Sequence, residues 1–188
     1  MRASEIGFHR DAAGSPPVRA LPHDAQRHPA VPAVVFDQRE PQRQLGAFRA
    51  SSICGAIVNA AGDIASFGGL GPGQPFRIGI TDPFSPRRLA EVVYLTWAIA
   101  TSGTYERGHH LIDPHTGRPA ARAASASVTG PDLGLADALA TALAVAGAPG
   151  LDLIKALDGY EALIIAPDGS RRWTEHFPFA RRDAAPPR

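Results

Sequence analysis

Asp137 and Thr141 stand one helical turn apart within LADALATALAVAG, an Ala/Leu run of high helix propensity. On a helix, positions i and i+4 share one face, so the carboxylate and the hydroxyl point the same way. Two hard oxygens with backbone carbonyls nearby suit Mg²⁺, which takes oxygen ligands and leaves positions open for substrate phosphates. The same spacing arises by chance on many solvated faces, so the pair gains meaning only from its neighbours. Upstream, His109 and His110 bring imidazoles, whose unperturbed pKa of about 6.5 suits a general base near neutral pH. On a strand they face opposite ways, so at most one serves a given site. A zinc site built from His109, His110 and His115 has no recognised ligand spacing and no acidic partner nearby. In Ser102-Gly103-x-Tyr105-x-Arg107, Gly103 lets the backbone approach a ligand closely. Arg107 could hold phosphate bidentately or pair with Asp113 as scaffolding. Asp113 opens Asp-Pro-His-Thr-Gly, where a carboxylate accepts from the following amides and shapes the turn.

These residues need elements to position them. Leu135 to Ala146 reads as the main helix, ended by Gly147, and Gly150 to Leu157 as a short second one. Ile53 to Asn59 and Ile64 to Phe67 read as strands joined by the tight turn Ala60-Ala61-Gly62-Asp63. Gly68 to Gly73 lacks a following helix and a Gly-Lys-Ser/Thr, which argues against a phosphate loop. It reads as a hairpin connection to a strand at Phe76 to Ile80, closed by Thr81-Asp82-Pro83. Between Arg88 and Ser102 the β-branched and aromatic residues indicate two strands meeting near Thr96. Strands are also expected at His109 to Asp113 and Ala121 to Thr129. A hairpin pairs Tyr160 to Ala166 with Arg171 to His176 across Pro167-Asp168-Gly169-Ser170. The sum is an α+β fold, an antiparallel-rich sheet of short strands with two helices in the C-terminal half.

Composition narrows the function. A net charge of +1 over 188 residues gives no electrostatic footprint for nucleic acid or an acidic membrane surface. The single Cys54 excludes an intramolecular disulfide, and its Ser-Ser-Ile-Cys-Gly setting lacks the apolar run of a lipoprotein signal. No apolar run is long enough to span a bilayer, so a cytoplasmic location is expected for the chain as written. Residues 1–50 interleave six prolines with Arg, His, Gln and Asp, and only Ala30 to Phe36 reads as a short strand. This arm is expected to be largely unfolded, ahead of a domain over residues 51–181 and a disordered tail over 182–188.

Taken together, NAAGDIASFG, ATSGTYERG, HLIDPHTGRP, SVTGP and ADALATAL resemble, in order and approximate spacing, the ApbE-type flavin transferases (FAD:protein FMN transferases). The resemblance runs over roughly residues 53–178. It implies a truncated version of that family's fold. It also implies Mg²⁺-dependent transfer of FMN from FAD to a Thr or Ser hydroxyl of an acceptor flavoprotein, with release of AMP. By the same resemblance His110 is the base, and Ile112, Ser102, Gly103, Asp63 and Arg107 contact the flavin nucleotide. Asp137 and Thr141 bind the metal, with the Ala140 carbonyl as a third contribution; the acidic side chain some relatives carry at that position is absent. Many relatives are exported. Asn59 and Asp63 match the family's Asn-Ala-Gly-Gly-Asp, except that Ala61 replaces its first glycine. The family's N-terminal half of the flavin site, with its Ser-Gly-x-x-Lys-Gly-like segment, has no counterpart in residues 1–50. Two alternatives follow: an Mg²⁺-dependent FAD diphosphatase giving FMN and AMP, and a non-catalytic remnant.

Overall fold

The structure, a computed structural model, describes residues 55–60, 62–103 and 111–180, and the backbone of 33–36. Its strands are β1 (Ala33–Phe36), β2 (Gly55–Ala60), β3 (Asp63–Gly68), β4 (Phe76–Asp82), β5 (Ser85–Leu95), β6 (Ala98–Gly103), β7 (Ile112–Asp113), β8 (Arg118–Pro119) and β9 (Ser125–Gly130). Helix α1 (Leu133–Ala146), a 3-10 turn at Ala148–Gly150, helix α2 (Leu151–Lys155), β10 (Glu161–Ile165) and β11 (Arg171–Trp173) complete the order. A seven-stranded sheet runs β1-β2-β3-β6-β9-β10-β11, antiparallel throughout except for the parallel β1–β2 pair.

Helix α1 lies across one face of this sheet. Strand alternation puts Ala98 and Ala100 of β6, Ala126 and Val128 of β9, and Ala65 of β3 on that face, where they meet Ala136, Leu139, Ala140 and Leu143 of α1. So many methyl-sized side chains let helix and sheet approach closely. The opposite face carries Ile57, Ile64, Ile99 and Leu163, covered by Phe76, Ile80, Val93 and Leu95 of the β4–β5 hairpin. The α+β, antiparallel-rich expectation holds, as a central sheet with a helix on one side and a hairpin on the other.

Several boundaries move for local reasons. Helix α1 starts at Leu133, not Leu135, because the Asp132 carboxylate caps it by accepting the Leu135 N–H at 2.7 Å. The second helix is only Leu151–Lys155; Pro149 and its neighbours form the 3-10 turn before it. Residues 121–124 are not strand, since Ala120 N–H is turned back to Leu111 C=O at 2.8 Å and β9 begins only at Ser125. Of the strand expected at His109 to Asp113, Ile112–Asp113 forms β7, and His109 and His110 lie outside the described residues.

The glycine-rich run does not turn a hairpin. β3 pairs with β2 and β6, whereas β4 pairs with β5 in a separate sheet, so Gly68 to Gly73 carries the chain from one layer to the other. A Cβ on Gly69 would come within 2.2 Å of Gln74 O, which leaves only glycine room for this crossing. Within the proline-rich arm, Ala33–Phe36 joins the sheet as β1, because an Ala-Val-Val-Phe run can pair along the β2 edge. The rest of residues 1–50, and the tail over 182–188, lie outside the described residues.

Candidate functional site

The site gathers where β6 ends beside α1. Ala98 and Ala100 point at the helix, so Ser102, two residues on, does too. Its Oγ lies 3.0 Å from the Thr141 Oγ1, a hydroxyl pair that ties the last turn of the strand to the middle of the helix. Either oxygen can donate. Asp137 stands one turn earlier on the same helix face, exposed, and no described residue is bonded to its carboxylate. Gly103, buried, closes β6 opposite Ser125.

Asp63 reaches the same end of the sheet by topology. β3 runs antiparallel to β6 with Ile64 opposite Ile99, so Asp63 opens β3 near the end of the sheet toward which β6 runs to Ser102. It shares the helix-facing side with Ala65. The turn before it is set by Gly62, at φ 105°, whose N–H donates to Asn59 Oδ1 at 2.9 Å. The left-handed conformation therefore falls on a glycine. Ala61, which replaces the family's first glycine in this turn, lies outside the described residues.

The Asp113–Arg118 turn forms the facing wall. Asp113 is buried; its Oδ1 accepts the His115 N–H at 2.9 Å and its carbonyl accepts the Gly117 N–H at 2.8 Å. Gly117 adopts φ 66°, which closes the turn and lets β7 pair with β8. Asp113 thus has the structural role its position indicated. Ile112, just before it, is 50% exposed, so it is not a core residue and its side chain is available to a ligand. Leu111 C=O anchors the segment that His110 precedes. His110 itself and Arg107 lie outside the described residues.

Ala140 offers the site no side-chain oxygen, only its backbone carbonyl. It is fully buried with its methyl in the core, and a mid-helix carbonyl is engaged in the ladder with the amide four residues on. On this face of the helix the side-chain oxygens are the Asp137 carboxylate and the Thr141 hydroxyl. Among the described residues no group of three or more His, Cys, Asp or Glu side chains is arranged around a metal position. Between α1 and the Asp113–Arg118 turn lies a cleft of about 500 Å³, with Thr141, Val145 and Pro149 on the helix side and Asp113, His115 and Arg122 opposite. The sequence offered one signal for it: Asp137, Thr141 and Val145 continue a single i, i+4, i+8 stripe.

An antiparallel sheet with one covering helix and a polar end built from β6, α1 and an Asp-Pro turn defines a class with known members. The ApbE family model matches residues 42–164, more than half of the chain, and the chain belongs to this family. The match begins ahead of residue 51, within the proline-rich arm. An FAD:protein FMN transferase of Rhodobacter capsulatus is 38% identical over 131 residues, covering 64% of this chain and 25% of that protein. Another, of Treponema pallidum, is 37% identical over 105 residues, covering 50% and 29%. Among solved structures, the flavin transferase ApbE of Vibrio cholerae superposes with a TM-score of 0.59 at 31% identity, covering 71% of this chain and 46% of its own. The ApbE protein of Thermotoga maritima gives 0.56 at 34%, covering 64% and 43%. The chain spans under a third of those sequence relatives and under half of those structures. No helix among the described residues is long and apolar enough to cross a membrane.

Proposed function

We propose that this chain serves in the transfer of FMN from FAD to a Thr or Ser hydroxyl of an acceptor protein, with AMP as the leaving group. The carrying observation is the Ser102–Thr141 hydroxyl pair, with the exposed Asp137 carboxylate one turn away and Thr141 lining a cleft, in a chain of the ApbE family. In this reading the acceptor oxygen forms a bond to the FMN phosphorus. The bond from that phosphorus to the bridging oxygen breaks, and AMP departs with the electron pair. His110 takes the hydroxyl proton. Asp137 and Thr141 would hold Mg²⁺, which when bound supplies charge neutralisation at the phosphate oxygens. Ser102 orients the Thr141 hydroxyl so that its lone pairs face the site. Gly103 and Asp63 border the nucleotide at the end of the sheet, Ile112 offers it an apolar contact, and Arg107 pairs with phosphate.

Asp137→Ala tests the metal assignment without disturbing the helix, because alanine has the higher helix propensity. Wild type should gain thermal stability on adding Mg²⁺ and FAD, as any ligand that binds only the folded state requires. The variant should lose most of that gain while melting as wild type does without ligand. Equal Mg²⁺-dependent shifts in both proteins would refute the assignment. Product analysis without acceptor separates the readings: stoichiometric free FMN and AMP at the transfer rate would make water the acceptor, and the protein a diphosphatase.

A further inference from the structure

We infer that the cleft between the Asp113–Arg118 turn and the C-terminal half of α1 seats the acceptor polypeptide, and that Arg122 reads an acidic residue about three positions from the hydroxyl that receives FMN. This rests on the transferase reading above and assigns its protein partner a place and a charge.

The cleft starts at Thr141, the proposed reaction end, and runs along α1 past Val145 to Pro149. Beyond Thr141 its helix-side lining is Ala142, Val145, Ala146 and Pro149, small and apolar, with no side-chain donor or acceptor to read a base or a ribose. Such a lining accepts short aliphatic side chains of an extended strand. Of the cleft's charged side chains, Arg122 is the one that lies at the far end, by the helix cap. Arg122 is exposed, and among the described residues its guanidinium has no ion-pair partner; the recorded pairs are Lys155–Asp152 and Arg171–Glu91. Asp113, the cleft's one carboxylate, is buried and already accepts the His115 amide.

Arg122 is nevertheless held in place. Helix α1 ends at Gly147, at φ 71°, and a Cβ there would come within 2.8 Å of Arg122 Cβ and 3.5 Å of its Cδ. The arginine stem therefore lies flat on the helix cap, which has no basic residue of its own in its last turn. The helix C-terminus favours a cation at this position. From Thr141 to Gly147 the helix rises about 9 Å at 1.5 Å per residue. An extended peptide advances about 3.3 Å per residue, so three positions cover that span. FAD phosphates held at Asp137 and Thr141 sit at the opposite end of the cleft from this charge.

The test uses the full chain and fluorescently labelled peptides, followed by anisotropy. Two place Asp three residues before or after a single Thr in an otherwise Ala and Gly sequence, and two carry Lys in place of Asp. One Asp peptide should bind about fivefold tighter than its Lys counterpart, the upper range for an exposed ion pair. Arg122→Glu should invert that preference, which loss of a merely structural arginine would not do. FAD affinity, read from flavin fluorescence, should stay within about twofold. Val145→Trp, which fills the cleft, should weaken every peptide. Absence of saturable peptide binding, equal binding of Asp and Lys peptides, or no inversion in Arg122→Glu would overturn the proposal. So would a fall in FAD affinity as large as the peptide effect, which would give Arg122 to the nucleotide. Charge-inverted binding without FMN transfer to the peptide would sustain the docking site and refute the transferase reading.

Discussion

Replacing His110 with asparagine is expected to slow FMN transfer by about 10²–10⁴-fold, the usual contribution of a positioned general base. Asparagine retains a hydrogen-bonding side chain of similar reach and removes the proton acceptor, so FAD and Mg²⁺ affinities should change by no more than a few-fold. The loss should therefore appear at saturating FAD. His109→Asn supplies the control, since the resemblance assigns the base to His110 and gives His109 no role. Single-turnover transfer to a Thr-containing acceptor measures both variants. Equal losses, or a drop in FAD binding that accounts for the whole effect, would remove His110 from the chemistry.

Leu143→Ala should be the most destabilising of the α1 truncations, at about 2–5 kcal/mol, because it empties a buried leucine site that cannot easily collapse. Leu143 is 2% exposed, and its carbonyl accepts the Gly147 N–H that closes the helix at 2.8 Å. A Cβ on Gly150 would lie within 2.9 Å of the Leu143 Cδ1, so the leucine also braces the 3-10 turn. The melting temperature should fall by roughly 5–15 °C for a chain of this size. Val145→Ala, one turn from Thr141 and half-buried at the cleft, should cost under about 1 kcal/mol. Urea titration at constant m-value compares the two. Similar costs would mean that α1 is not anchored to the sheet through Leu143.

What could be read from the sequence was local. The Asp137–Thr141 face was legible because a helical repeat fixes which residues share a side, whatever the helix packs on. The β5 and β6 strands were legible because Val92, Val93, Tyr94, Trp97 and Ile99 crowd a helix and suit a pleated surface. The layer crossing at Gly68 to Gly73 was not, because a glycine-rich run reads the same whether the next strand pairs with the last or leaves for another sheet. Nor was Arg122: its position over the helix cap depends on a segment that meets α1 only in three dimensions. Ala121 to Ala124 continues the alternation read for the strand that follows, yet the turn anchored by Ala120 and Leu111 keeps it out of the sheet. Ala140 illustrates the converse limit, since its place beside Thr141 in sequence puts it on the buried side of the helix.

The proposed function requires that the FMN phosphate pass to a protein hydroxyl. FAD carrying a radiolabel only in the phosphate of its FMN half, incubated with this chain, Mg²⁺ and a Thr-containing acceptor, tests it most directly. The label should become covalently attached to the acceptor and survive denaturation, with unlabelled AMP released in equal amount and the Asp137→Ala protein giving none. Label recovered solely as free FMN, or retained in intact FAD after complete incubation, would contradict it.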